Sequence, residues 1–197
     1  MLSDRVSTGN VEFDKLIGGG FPKNSLILLA GSPGAGKTAF SASFIYHGAV
    51  NHGEPGVYVC FNESRDRFLR DVKEFGMDFE TLIKRGKVSV LDLSLVTEVD
   101  VQSALNQILE AITTLSAKRL VIDSITSLFA GLKSELEKRH ILRLLYSCTE
   151  NRVHNHNHCG DALGVKLHRK RHRGVHGGWD NPHGKPLQQQ RNLREAH

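Results

Sequence analysis

Gly31-Ser32-Pro33-Gly34-Ala35-Gly36-Lys37-Thr38 meets the spacing G-x-x-x-x-G-K-[ST] at every fixed position. That spacing serves the gripping of a phosphate chain. Glycines let the backbone curl until successive N–H groups converge on phosphate oxygens, and a helix starting at the loop's end adds its positive dipole end. In such a loop Lys37 reaches the β- and γ-phosphates and the Thr38 hydroxyl coordinates Mg²⁺. The expected phosphate-binding set is Gly31, Ser32, Pro33, Gly34, Ala35, Gly36, Lys37, Thr38 and Ala39. A chance match in a Gly-rich turn is the plain alternative. The context favours chemistry, because an apolar run ends at Ala30 and a helix-compatible segment opens at Thr38.

Two acids extend the set. Asp123 closes the apolar run Leu120-Val121-Ile122, where a carboxylate holds the Mg²⁺ hydration shell, so Thr38 and Asp123 are the expected metal residues. An acid that simply caps a strand or the next helix is the alternative. Glu63 follows the run Val57-Tyr58-Val59-Cys60-Phe61, where it can orient or deprotonate an attacking water. Its alternative is a helix-start charge facing Arg67 at i+4. Lys37 and Glu63 are the expected catalytic residues.

These side chains need strands to carry them. Ser25-Leu26-Ile27-Leu28-Leu29-Ala30, the run at Val57, Val88-Ser89-Val90-Leu91 and Leu120-Val121-Ile122 read as short strands buried on both faces. Between them, Val101, Leu105, Ile108, Ile112 and Leu115 line one helical face, and 38–50, 65–75 and 134–146 are further helices. The alternation predicts an α/β fold, a mostly parallel sheet flanked by helices.

Composition narrows the classes. The 197 residues are 39% hydrophobic, enough for one core, and no stretch approaches the ~20 apolar residues of a membrane helix. The opening Met1-Leu2-Ser3-Asp4-Arg5 lacks a secretory pattern, so the expected compartment is the cytoplasm. Cys60, Cys148 and Cys159 form no C-x-x-C pair, which argues against a disulfide framework or zinc ribbon. The net charge of +5 is confined to one end: residues 1–150 carry 17 Lys/Arg against 18 Asp/Glu, residues 151–197 carry 9 against 3. Eight of the eleven histidines also lie in 151–197. Such a segment buries too little apolar surface to offset its ordering entropy. The expected division is therefore a folded 1–150 and a disordered, basic, His-rich 151–197.

The run from Ser7-Thr8-Gly9 through Phe13-Asp14-Lys15-Leu16-Ile17-Gly18-Gly19-Gly20-Phe21-Pro22 into the phosphate loop resembles the opening of KaiC-like ATPases of the RecA superfamily, a group especially common in archaea. Gly53-Glu54-Pro55-Gly56-Val57-Tyr58-Val59, Asn62-Glu63-Ser64 and Lys73-Glu74-Phe75-Gly76-Met77-Asp78 continue the resemblance in order over about residues 5–147. It implies a RecA-type P-loop NTPase core, ATP with Mg²⁺ as cofactors, ATP hydrolysis, and a homo-oligomer with ATP between subunits. One departure lies in the body: the family's two adjacent glutamates are here Asn62 and Glu63. Slow hydrolysis, or a nucleotide-binding switch without hydrolysis, is what that change implies. A DNA-binding recombinase paralogue is the other alternative, but the charge of −1 over 1–150 argues against a large phosphate-contacting surface.

The larger departure follows Tyr146. The family continues with a Thr/Ile-rich strand, an E-x-P segment, a G-[IV]-E-E-F segment and a closing V-A-D-G strand, none of which is written here. Asn155-His156-Asn157-His158 becomes Ile or Thr codons when read one nucleotide later. Cys159-Gly160-Asp161-Ala162 likewise permits Val-Glu-Met-Pro, and Arg171-His172-Arg173-Gly174-Val175 with His176 permits Gly-Ile-Glu-Glu-Phe. The tail thus reads as a frameshifted translation beginning near 147–150. The sheet is then expected to lack its last strands, with poor assembly and little turnover. Read at face value, His154, His156, His158 and Cys159 suggest a metal site, and Arg169-Lys170-Arg171-His172-Arg173 a nucleic-acid contact. A solvated basic tail or an out-of-frame product is the plainer reading of both.

Overall fold

The computed structural model describes residues 5–95, 101–132, 134–147 and 162–168. Strand β1 (Arg5–Val6) leads into helix α1 (Val11–Leu16) and pairs antiparallel with β2 (Phe21–Pro22). Then come β3 (Ser25–Gly31), α2 (Lys37–Asn51), β4 (Gly56–Cys60), α3 (Arg65–Glu74), α4 (Phe79–Lys84) and β5 (Val88–Asp92). The order closes with α5 (Val101–Leu115), β6 (Arg119–Asp123), α6 (Ile125–Ala130), α7 (Glu135–Ser147) and β7 (Ala162–His168). None of the helices among the described residues is long and apolar enough to cross a membrane.

The main sheet is parallel throughout, in the order β3-β7-β6-β4-β5. One end of it is the three-strand unit β6-β4-β5, and β4 and β6 are buried along their whole length. The period of two sorts their side chains. Val57, Val59, Leu120 and Ile122 pack against α5, α6 and α7. Tyr58, Cys60 and Val121 face α2, α3 and α4. On α5, Leu105, Ile108 and Ile112 are buried with Ala104, while Val101 and Leu115 flank them, so the predicted face is the observed one.

Three observations go beyond the sequence patterning. β3 is not buried on both faces: Leu28 is 56% exposed, because β3 ends the strand order and is paired only with β7 among the described residues. Secondly, within 151–197 the structure describes one strand. Ala162–His168 pairs with β3 on one side and β6 on the other, and its sequence carries Leu163, Val165 and Leu167 at every second position. β3 and β6 are not bonded to each other, so a strand between them satisfies two open backbone edges at once. Thirdly, β1, α1, β2, α4 and α6 are elements that the apolar patterning left unassigned. The His-rich metal cluster at 154–159 and the basic run at 169–173 lie outside the described residues, and of the region expected to lack closing strands only Ala162–His168 is described.

A buried cation ties the amino-terminal segment to this sheet. Arg119, 1% exposed at the start of β6, pairs with Glu54 at 2.5 Å and donates to the carbonyls of Ser7 and Phe44, each at 2.8 Å. Its guanidinium also sits over the Phe44 ring, 4.5 Å from the centroid. Gly48 makes room for it: a Cβ there would lie 2.3 Å from Arg119 Nε.

Candidate active site

Parallel strands deliver their carboxyl ends to one edge of the sheet, and the residues with chemistry gather there. β3 ends at Gly31 and opens the phosphate loop; β4 ends just before Asn62 and Glu63; β6 ends on Asp123. The ends are pinned to one another, with Phe61 N–H donating to Asp123 O at 2.7 Å and Leu93 N–H to Cys60 O at 2.8 Å.

Within the loop, Gly34 and Gly36 take φ of 79° and 77°, a left-handed conformation that side-chain-bearing residues adopt at a cost. Gly36 is the N-cap of α2, and neither a capping side chain nor a first-turn acid covers that helix start. The arrangement suits an incoming anion. Lys37 is 6% exposed, and its ammonium donates to the carbonyls of Gly31 at 2.9 Å and Ser32 at 2.6 Å. The charge is thereby held at the loop's mouth, where phosphate oxygens can replace the carbonyls.

Pro33, Gly34, Gly36, Lys37, Thr38 and Ala39 line an open cleft of about 300 Å³ together with Glu63, Asp71, Val72 and Phe75. Its size suits a small ligand. Glu63 therefore faces the phosphate loop. Its helix-start alternative holds as well: Arg67 Nε lies 3.9 Å from Glu63 Oε2, on the exposed side of α3. Ser64 caps α3 by accepting from Arg67 N–H, and Asp92 accepts from Arg65 N–H at 2.9 Å, which fixes the segment that carries Glu63. Hydrogen bonds from Ser94, outweighing burial, hold Asp92 below the usual carboxylate range.

The metal test is one of donor chemistry. Thr38 Oγ1 donates to Asp123 Oδ2 at 3.3 Å, from positions 85 residues apart. Two hard oxygen groups meeting beside a phosphate loop match what Mg²⁺ takes. The residues fit the ion.

Sequence reasoning missed three contributors. Tyr58, fully buried, donates its hydroxyl to Asp123 Oδ2 at 2.8 Å. Burial, with the Asp123 carboxylate beside it, pushes the phenol well above its ordinary range, so it stays a donor. The available signal was a hydroxyl in a run otherwise apolar, since a buried hydroxyl must find an acceptor. Ser124 and Ser127 are the other two. Asn62 donates to Ser124 Oγ at 3.2 Å and accepts from Ser127 Oγ at 2.5 Å, bridging the β4 and β6 ends. An amide serves as donor and acceptor at once, which a carboxylate cannot do. Asn62 is thus engaged in a structural bridge, while Glu63 is the one of the pair that lines the cleft.

A family model described as "ATPase: KaiC" matches residues 6–153. A circadian clock oscillator protein KaiC of Prochlorococcus marinus is 34% identical over 153 residues, 74% of this chain and 30% of the relative. A UPF0273 protein of Sulfurisphaera tokodaii is 34% identical over 139 residues, 64% of this chain and 49% of the relative. This chain therefore spans less than half the length of both. Among solved structures, a KaiC-like protein from the hyperthermophilic archaeon Pyrococcus horikoshii superposes with a TM-score of 0.70 at 37% identity, covering 85% of this chain and 71% of that one.

Proposed function

This chain belongs to the KaiC family of ATPases within the RecA superfamily, and from that premise we propose that its cleft binds ATP with Mg²⁺ and turns it over slowly. The observation that carries the reading is the meeting of Thr38 and Asp123 at 3.3 Å beside Lys37, with Glu63 across the same cleft. The glycine backbone and the start of α2 receive the phosphates, and Lys37 exchanges its loop carbonyls for β- and γ-oxygens. Thr38 and Asp123 hold the ion, which when bound neutralises phosphate charge. Glu63 orients the attacking water and takes up its proton. Self-assembly with ATP between copies belongs to the intact family form; the altered C-terminal region of this chain weakens it, and turnover with it.

Asn62 supports a second reading. Because its amide is committed to Ser124 and Ser127, only one of the two adjacent positions, Glu63, carries an acid, and a nucleotide-binding switch without hydrolysis is the outcome if two are needed. Single-turnover hydrolysis of radiolabelled ATP by the full chain separates the two. Slow product formation abolished by Glu63→Gln supports the enzyme. Tight Mg-ATP binding with no product supports the switch. Absence of ATP binding rejects both.

A further inference from the structure

We propose that Tyr58 is a positioning residue for the metal-binding carboxylate, setting the direction in which Asp123 presents its oxygens to an ion held with Thr38. The inference rests on the reading of the cleft as a Mg-nucleotide site and adds to it a residue outside the phosphate loop and both acids.

Strand geometry makes the contact. In the β4–β6 register Tyr58 is opposite Val121 and Cys60 is opposite Asp123. Tyr58, Val121 and Asp123 lie on the same sheet face, because positions two apart along a strand share a face. Tyr58 thus reaches diagonally across one strand spacing to Asp123, which is 4% exposed. The oxygen it donates to, Oδ2, is the one that also receives the Thr38 hydroxyl. A carboxylate can rotate about its last side-chain bond; with Tyr58 bonded to Oδ2, that rotation breaks a buried hydrogen bond.

The hydroxyl is itself held in place. The Tyr58 ring stacks on Phe68 of α3, with centroids 4.2 Å apart and planes at 26°, and Phe68 packs edge-on against Phe79 of α4. Phenylalanine at position 58 would fill the same core volume, so packing alone does not account for the hydroxyl. Partners that orient a metal ligand in this way typically alter metal affinity on the order of 10-fold or more when removed.

The test uses the full chain, a fluorescent N-methylanthraniloyl ATP and Mg²⁺. Tyr58→Phe should leave the affinity for the analogue in EDTA near that of the wild type. The Mg²⁺ concentration giving half of the metal-dependent gain in affinity should rise roughly 10-fold. Replacing Mg²⁺ by Mn²⁺ should change the electron paramagnetic resonance line shape of the bound ion. In an Asp123→Asn background the same substitution should add no further loss, which a merely structural role would not predict. Equal Mg²⁺ half-saturation in Tyr58→Phe and wild type overturns the inference, as does an equal loss of affinity in EDTA and in Mg²⁺. If Tyr58→Phe does not fold, Phe68→Leu retains the hydroxyl but loosens its seat; an unchanged Mg²⁺ half-saturation there overturns the proposal. If the wild type gains nothing from Mg²⁺, the site reading fails and takes this inference with it. If the wild type responds and the variant matches it, only this inference fails.

Discussion

Gly48→Ala should destabilise the chain by about 2 kcal/mol, even though the change favours helix formation. Ala is better than Gly inside a helix by about 1 kcal/mol, and Gly48 lies within α2. Against this, the new Cβ would stand 2.3 Å from Arg119 Nε and 2.4 Å from Arg119 Cδ. The guanidinium cannot simply turn away, because Glu54, Ser7 O and Phe44 O hold it from different directions. Breaking a buried ion pair costs about 3–5 kcal/mol. The lower end applies here, since Glu54 is 27% exposed and rehydrates. Roughly 3 kcal/mol lost against 1 gained leaves about 2 kcal/mol, a fall of about 4–8 °C in melting temperature for a chain of this size. The decisive assay is a double-mutant cycle by urea unfolding. In an Arg119→Ala background the obstructing atoms are gone, so the same Gly48→Ala should be neutral or stabilising by up to about 1 kcal/mol. An equal cost in both backgrounds would refute the reasoning and assign Gly48 to some other constraint.

Lys37→Ala removes the ammonium at the loop mouth and should weaken ATP binding by roughly 10- to 100-fold, the loss of one or two charged hydrogen bonds, read by calorimetric titration. Asn62→Ala removes both contacts to Ser124 and Ser127 and should lower stability by about 1–2 kcal/mol without weakening ATP binding; a large loss of ATP affinity would place Asn62 in the cleft instead. Asp14 provides a pH test. Burial raises its pKa, but hydrogen bonds from the Thr8 and Ser7 hydroxyls and the Thr8 amide outweigh this and leave it below the usual carboxylate value. A folded-state pKa lowered in this way stabilises above the unfolded value of ~3.9 and is lost as pH falls through the folded one. The melting-temperature gap between wild type and Asp14→Asn should therefore be steady above about pH 5 and shrink in acid; a gap that widens in acid would reverse the assignment. Sedimentation of this chain with ATP should show little assembly, and a stable ring would contradict the weakening ascribed to its C-terminal region.

The sequence alone determined what was local. The phosphate loop was legible because glycine placement and the Lys-Thr pair act through backbone shape over eight consecutive residues, and continuous apolar runs and the 3.6 repeat marked four strands and the apolar face of α5. Asp123 and Glu63 were legible as positions at strand ends. Their company was not. That Tyr58 rather than a neighbour meets Asp123 follows from the β4–β6 register, which brings together residues 65 apart. That Arg119 needs Gly48 and Glu54 depends on how α2 crosses the sheet, and that Asn62 bridges to Ser124 and Ser127 depends on two strand ends lying side by side. Charge and apolar content along 151–197 carried no sign of a pairing partner, and the place of Ala162–His168 between β3 and β6 is set by the two open edges on either side of it. Local chemistry is written in spacing; the partners of a buried hydroxyl, amide or guanidinium are set by register and packing, which no window of sequence contains.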